Sequence, residues 1–275
     1  MSRRGPAQEG VPVRIVKLGG SVITEKEAPR GALRGEVLGR LAREVVQAGG
    51  ETVLLHGAGS FGHPGAKRHG LKGGLEREGA VSGASEVRMD VEALQRAVCE
   101  AVRDAGGAPW PLPASSVSWM RDGRPRQIDW EIFDAALGRG FVPVTGGDVV
   151  LDEVLGVSIL SADEIAEGLA RHLHPSLVVF AVDTDGVYDR DPSDKSARLI
   201  QRLKANEKPR FEGAAGAGDD VTGGMAAKVR AAQAIALGGA RVRIVNGLEP
   251  GRVLKALRGE PVEGTEVVPP GVVAR

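Results

Sequence analysis

Along the chain, short runs of aliphatic and β-branched residues alternate with longer stretches in which apolar positions recur every three or four residues. The first run, Val13 to Val16, is followed by a helical pattern over Glu36 to Ala48. Thr52 to Leu55 and Ser85 to Ala105 repeat the pair, and Phe141 to Val144 opens a third. Further on, Ser161 to His172 and Gly223 to Leu237 read as helices, and Leu177 to Val182 and Val242 to Val245 as buried strands. Strands apolar on both faces, in a βαβ rhythm, predict an α/β fold: a three-layer α-β-α sandwich around a mainly parallel sheet. Between Gly186 and Gly218 the chain turns polar, with Pro192 and Pro209 breaking any period, which predicts irregular loops and a hairpin. The end, Glu260 to Arg275, carries three prolines and predicts an extended surface tail.

Composition narrows the chemistry. Lys plus Arg and Asp plus Glu are 36 each, so the net charge is zero. Nothing points to nucleic acid or to an anionic membrane as a partner, and any anion site has to be local. The one cysteine, Cys99, excludes a disulfide framework and a Cys-rich metal site and fits a reducing, cytoplasmic compartment. Residues 1–10 are short and polar and read as a disordered extension before a single domain over 11–275. No later apolar run approaches the length of a membrane span. The 40 glycines are bunched in pairs beside the strands, as phosphate-handling turns require.

Six segments carry the candidate chemistry. In Val13-Arg-Ile-Val-Lys-Leu-Gly-Gly-Ser21 a strand runs into Lys17 and the pair Gly19-Gly20, where bare glycines let backbone N–H groups approach phosphate oxygens. Read singly, it is equally a tight βα turn beside a solvated lysine. No GxxxxGK[ST] occurs and the spacing after Gly19 fails GxGxxG, which sets aside a P-loop and a dinucleotide fingerprint at this place. Leu54 to His63 ends a strand in an open glycine loop with two histidines. His63 is either a donor to a substrate phosphate or an ordinary surface histidine, whereas His56 reads as a buried structural residue. His69 reads as a polar helix end, and no zinc site is expected. Phe141 to Asp148 repeats the strand and glycine pair and adds an acid, as expected where several strand ends line one crevice.

Ser161-Ala-Asp163 opens a helix, with Ser161 as its N-cap. Asp163 there is a dipole-favoured acid of the first turn or a buried carboxylate holding two lysines around a phosphoryl group. Val182 to Tyr188 ends a strand in Asp183, Asp185 and Gly186, suited to a ribose or a metal-bound phosphate and equally to a turn. Gly218 to Lys228 offers Thr222 as a helix cap with Lys228 in the second turn, a phosphate grip or a solvated lysine. Six such elements in one chain, most of them at strand ends, tilt the balance toward phosphate binding.

Taken in order, KLGGS, HGAGSFGH, GGD, SAD, DTDGVY and GDDVTGGMAAK resemble the amino acid kinase superfamily, from about Val13 to Val267. Its members transfer the γ-phosphoryl group of ATP to a carboxylate, carbamate or phosphate. Within it, SFGH followed by Pro64, the GDDVTGGM segment and the closing Gly247…Gly259-Glu-Pro-Val-Glu-Gly-Thr-Glu266 are similar to the isopentenyl phosphate kinases. The resemblance implies an amino acid kinase fold with an acceptor lobe over about 11–172 and a nucleotide lobe over about 173–275, a homodimer, and MgATP with Mg²⁺ held mainly by the nucleotide. It implies that Lys17, Gly19, Gly20 and Ser21 cradle the β and γ phosphates, that Lys228 neutralises the γ-phosphoryl group and that Asp163 orients the lysines. Asp183, Asp185, Gly186, Gly223 and Gly224 would complete the ATP site. Gly57, Ala58, Gly59, Gly62 and His63, with Gly147 opposite, would hold the acceptor phosphate, with Lys26 near the transferring group and Ala66 and Val87 walling a prenyl tail. The competing readings are a fosfomycin-type phosphonate kinase, which shares the FGH element, and a non-catalytic nucleotide- or oxyanion-binding protein on the same fold.

Overall fold

Each apolar run named above becomes a strand. The computed structural model describes residues 12–26, 28–207 and 221–269, with the backbone alone for 221–223. The extension expected over residues 1–10 lies outside the described residues. The first half of the chain runs β1 (Arg14–Leu18), α1 (Gly20–Ile23), α2 (Gly35–Ala48), β2 (Thr52–His56), α3 (Gly59–His69), α4 (Ala80–Asp104), β3 (Pro109–Pro111), α5 (Ala114–Val117), β4 (Ser118–Arg121) and β5 (Arg124–Ile128). It continues through α6 (Glu131–Leu137), β6 (Val142–Gly146), β7 (Asp148–Asp152), β8 (Gly156–Leu160), α7 (Ala162–Leu173) and β9 (Leu177–Val182). The remainder is β10 (Arg202–Lys204), α8 (Val221–Leu237), β11 (Arg241–Asn246), α9 (Arg252–Arg258) and β12 (Thr265–Val268). Among the described residues no helix is long and apolar enough to cross a membrane.

Among these residues the main sheet has the order β10-β12-β11-β9-β1-β2-β6-β3, and a smaller sheet the order β5-β4-β7-β8. From β11 to β3 all neighbours are parallel; the direction changes only where β12 meets β11. Alternation along β1 sends Ile15 to one face and Val16 and Leu18 to the other. Ile15 packs into a core with Phe133 of α6, Leu169 of α7 and Ile235 of α8. Val16 and Leu18 join Leu41 of α2, Leu94 of α4 and Leu257 of α9. That is the expected three-layer sandwich. The parallel strands β1, β2, β6, β9 and β11 end in Gly19, Gly57, Gly147, Asp183 and Gly247, which gathers five loops at one edge of the sheet.

The tail expected to lie extended on the surface is corrected. Thr265–Val268 is β12, inserted between β10 and β11, with Thr265 and Val267 buried. Pro261 and Pro269 flank this β-branched run without interrupting it, so the prolines bound a strand. Thr265 Oγ1 donates to the Ile200 carbonyl at 2.6 Å and accepts from the Val187 amide at 2.8 Å, fastening β12 to the polar segment after β9. In that segment the expected hairpin is reduced to one antiparallel bridge, Tyr188 to Leu199, before β10; residues 208–218 lie outside the described residues. Thr265→Val keeps the shape and leaves the buried Val187 amide without its acceptor. Urea unfolding should show a loss of about 1–3 kcal/mol, and an unchanged midpoint would mean that β12 is not fastened there.

Candidate active site

Lys17 lies two residues after Ile15 on β1, so its side chain emerges on the face covered by α7 and α8. It is buried, 6% exposed, and its Nζ stands 5.8 Å from the centre of the Phe180 ring on the neighbouring strand β9. Asp163 reaches it from the first turn of α7. That turn is fixed by a capping box: Ser161 Oγ accepts from the Glu164 amide at 3.1 Å, and the Glu164 carboxylate accepts from the Ser161 amide at 3.0 Å. The N-cap read from the sequence is therefore the observed one. One oxygen of Asp163 accepts a hydrogen bond from Lys17 Nζ, and the other stands 3.6 Å from Nζ of Lys228 on α8. The carboxylate bridges two ammonium groups, and the trio keeps one uncompensated positive charge.

Electrostatics follow from burial. The Lys17 ammonium is pushed from 10.5 down to about 8, first by burial and then by Lys228, with Asp163 opposing both. Burial alone would raise the Asp163 carboxyl, but the two lysines outweigh it and hold it below the usual range.

Beside this trio the first two glycine loops cross backbone to backbone. A Cβ on Gly20 would lie 2.5 Å from the Gly59 nitrogen, and one on Gly57 2.6 Å from the Gly20 nitrogen, so neither position has room for a side chain. Thr24 locks the crossing, donating from Oγ1 to the Gly20 carbonyl at 2.7 Å and accepting from the Ser60 amide at 3.1 Å. The starts of α1 and α3 are thereby brought together, and first-turn amides such as those of Gly20, Ser21 and Gly59 have no acceptor within their own helices. Two converging helix starts beside two lysines form a place for phosphate oxygens.

Not every expected residue faces this place. The amides of Gly19, Gly57 and Gly147 are committed to the carbonyls of Ala181, Leu18 and His56, so they shape the loops without offering a donor. Gly62 is buried, its Cα against Ala58 and Val91, which makes it a packing contact between α3 and α4. His63 follows on α3 and is exposed, as is Lys26 in the turn after Thr24. Ala66 and Val87 do come together, in an apolar cluster with Leu71, Ala84, Val149 and Val157. His56 is fully buried and donates from Nε2 to Gln95 Oε1 at 2.9 Å, while Gln95 donates to the Val144 carbonyl; burial lowers the His56 pKa. Its ring fills the space a side chain at Gly146 would need.

On the nucleotide side, Asp183 is exposed at the end of β9. Asp185 accepts from Asn246 Nδ2 at 3.1 Å and from Arg252 Nη1 at 2.5 Å, and these hold its carboxyl below the usual range, the Asn246 bond most of all. Gly186 is a close-packing position under Thr265. Gly223 and Gly224 lie in the first turn of α8. Thr222 is not its cap: the helix is already under way at Val221, and a cap requires a non-helical backbone. Gly218, Asp219 and Asp220 lie outside the described residues.

Asp148, expected among the crevice-lining loops, is corrected. Its carboxylate is buried, accepts from the Ser115 amide at 3.2 Å and pairs with Arg88 at 3.3 Å, and burial raises its pKa in spite of that arginine. Sequence reasoning also passed over Asn246 and Arg252, and over the clamp in which Glu44 of α2 accepts from the amides of Gly251 and Leu254 while Arg40 holds the Gly247 carbonyl. Spacing offers no signal for such pairs, which are remote in the chain. Gly57-Ala-Gly59-Ser-Phe-Gly62 does carry the GxGxxG spacing at a strand–helix junction, a signal that was present and unused.

A mainly parallel sheet with glycine-rich loops and a Lys–Asp–Lys trio at one edge defines an α/β protein of the class that handles phosphates. The chain belongs to the amino acid kinase family, whose sequence profile, described as Amino acid kinase family, matches residues 12–246. It is 34% identical over 262 residues to the isopentenyl phosphate kinase of Methanothermobacter thermautotrophicus, covering 92% of this chain and 98% of that one. To the isopentenyl phosphate kinase of Methanocaldococcus jannaschii it is 30% identical over 273 residues, covering 92% and 97%. A solved isopentenyl phosphate kinase structure matches with a TM-score of 0.81 at 32% identity, over 93% of this chain and all of that one.

The depressed Lys17 pKa has two consequences of opposite sign. Its ammonium costs the folded state stability at neutral pH, a cost relieved as pH rises from about 8 toward 10.5, while the positive charge offered to phosphate is lost as pH rises through about 8. We therefore expect kcat/KM for the nucleotide to fall above a pH of about 8. Asp163→Asn, which removes the attraction, should move that limb to lower pH; a limb unmoved in the variant would detach it from Lys17.

Proposed function

We propose that the chain transfers the γ-phosphoryl group of ATP to isopentenyl phosphate, giving isopentenyl diphosphate and ADP. The observation that carries this reading is the bridged trio Lys17–Asp163–Lys228 at the sheet edge, in a chain that matches isopentenyl phosphate kinases along nearly its whole length. An oxygen of the acceptor phosphate attacks the γ-phosphorus in line, and the bond from that phosphorus to the β–γ bridging oxygen breaks, leaving the electron pair on ADP. The attacking oxygen is already anionic, so no general base is required. What the chain supplies is position and charge.

In this reading Lys17 and Lys228 offset the charge that builds on the transferring group, and Asp163 keeps them together. Gly20 and Ser21 present their amides to the nucleotide phosphates; Gly59, His63 and Lys26 meet the acceptor phosphate. The apolar cluster around Val87 and Ala66 takes the prenyl chain. On this reading the acceptor half, about 11–172, and the nucleotide half, about 173–275, would meet where β1 pairs with β9. Asp163 is committed to its lysines. In this reading Mg²⁺ enters with the nucleotide, as part of the substrate, and would supply charge neutralisation on its phosphates.

Purified protein with MgATP and isopentenyl phosphate should release ADP and yield a diphosphate by phosphorus NMR. Lys17→Ala should lower turnover on the order of 10² to 10³, the loss typical of one electrostatic stabiliser; retention within a few-fold would remove Lys17 from this role. His63→Ala should depress turnover of isopentenyl phosphate. Turnover of fosfomycin alone would replace the acceptor, and absence of any turnover would leave a binding protein.

A further inference from the structure

The described residues of the segment from Thr24 to Leu33, which leave out 27, belong to neither sheet, yet the segment is fastened to the elements that build the site. It turns back on itself as a strap: Thr24 and Leu33 form an antiparallel bridge, the Glu25 amide donates to the Ala32 carbonyl at 2.9 Å, and the Arg34 amide to that of Ile23 at 2.9 Å. Its inner side rests on the first turn of α3. The Ala32 amide donates to Ser60 Oγ at 3.2 Å, and Gly31 lies so close to Phe61 that a Cβ there would be 2.4 Å from the ring.

From the returning limb Arg30 reaches past α3 to α4. Its Nη2 donates to Asp90 Oδ1 at 2.8 Å and its Nε to Oδ2 at 3.1 Å, a two-point grip that suits the planar guanidinium. Glu86, 3.9 Å from Arg30 Nη1, is itself held by Arg68 of α3 at 2.8 Å. Helices α3 and α4 do not need this contact to stay together, because Gly62 against Val91 and Gly65 against Val87 already pack them closely. What the contact adds is a hold on the strap, four residues beyond Lys26.

We propose that Arg30 is a positioning residue for phosphoryl transfer: by gripping Asp90 it seats the strap on α3 and so sets where Lys26 stands relative to the acceptor phosphate. The proposal rests on the reading of Lys26 and of the acceptor given above. Arg30 is 64% exposed and Asp90 19%, so water and salt screen the pair and the hold is weak.

The test joins kinetics to hydrogen exchange in Arg30→Gln. The variant should lower kcat/KM for isopentenyl phosphate about two- to fivefold, the range of an exposed ion pair. KM for ATP and the melting temperature should stay unchanged, and the Glu25 and Arg34 amides should exchange faster. High ionic strength should produce the same loss in the wild type and little more in the variant. The double reversal Arg30→Asp with Asp90→Arg should recover part of it, and in a Lys26→Ala background Arg30→Gln should cost nothing further. Unchanged exchange, faster exchange with unchanged kcat/KM, or a full additional loss on top of Lys26→Ala would each overturn the proposal. Exchange is read without turnover. A wild-type chain inactive on isopentenyl phosphate would thus sink the functional reading, whereas unaltered exchange in Arg30→Gln sinks this one.

Discussion

Asp163 stands between two ammonium groups in a place from which water is largely excluded. Without it Lys17 and Lys228 would repel each other at short range, and Lys17, already depressed by burial, would give up its proton more readily. Much of the surrounding architecture serves this one arrangement. The alternation of β1 turns Lys17 toward α7, the capping box fixes the turn from which Asp163 projects, and α8 packs against α7 through the same core that holds Ile15. An isolated buried charge would be costly; three charges sharing one site leave a positive field at a smaller cost, part of which Lys17 still bears.

A second constraint is steric. The loops after β1 and β2 cross with backbone against backbone, so the starts of α1 and α3 converge only because Gly20 and Gly57 carry no side chains. Charge and close approach are thereby divided between one face of β1 and its end. The lysines stand on the α7–α8 side, while the crossing sits at the strand's end, where both meet the edge of the sheet.

The legible part of this structure was whatever is local. The strands β1, β2, β6, β9 and β11, the helices α2, α4, α7 and α8, the Ser161 cap, the buried His56 and the α/β class follow from periodicity and turn chemistry within a few residues; the smaller sheet β5-β4-β7-β8 does not. Less legible was anything decided by distant partners. Thr265–Val268 looked like a loose end because its strand neighbours are remote and prolines bracket it. Asp148 looked like another loop acid because Arg88, which claims it, lies on α4. Gly62 and Gly186 read as phosphate contacts, though side chains packed against them explain their smallness. In Lys17, Asp163 and Lys228 the sequence showed three separate ambiguities. Only the fold, by bringing α7 and α8 over β1, turns them into one object.

The position of β1 bears on how the molecule comes into being. It precedes every other described strand in the chain, yet it lies inside the sheet, between β2 and β9. Its partnership with β2 can form early, but its other edge stays open until Leu177–Val182 has been made, and α8 follows later still. A chain that has not reached β9 therefore carries an exposed parallel edge and lacks Lys228. The anion-gathering field is among the last properties to appear, and a truncated product would hold the glycine crossing while lacking half of the charge that gives it a purpose.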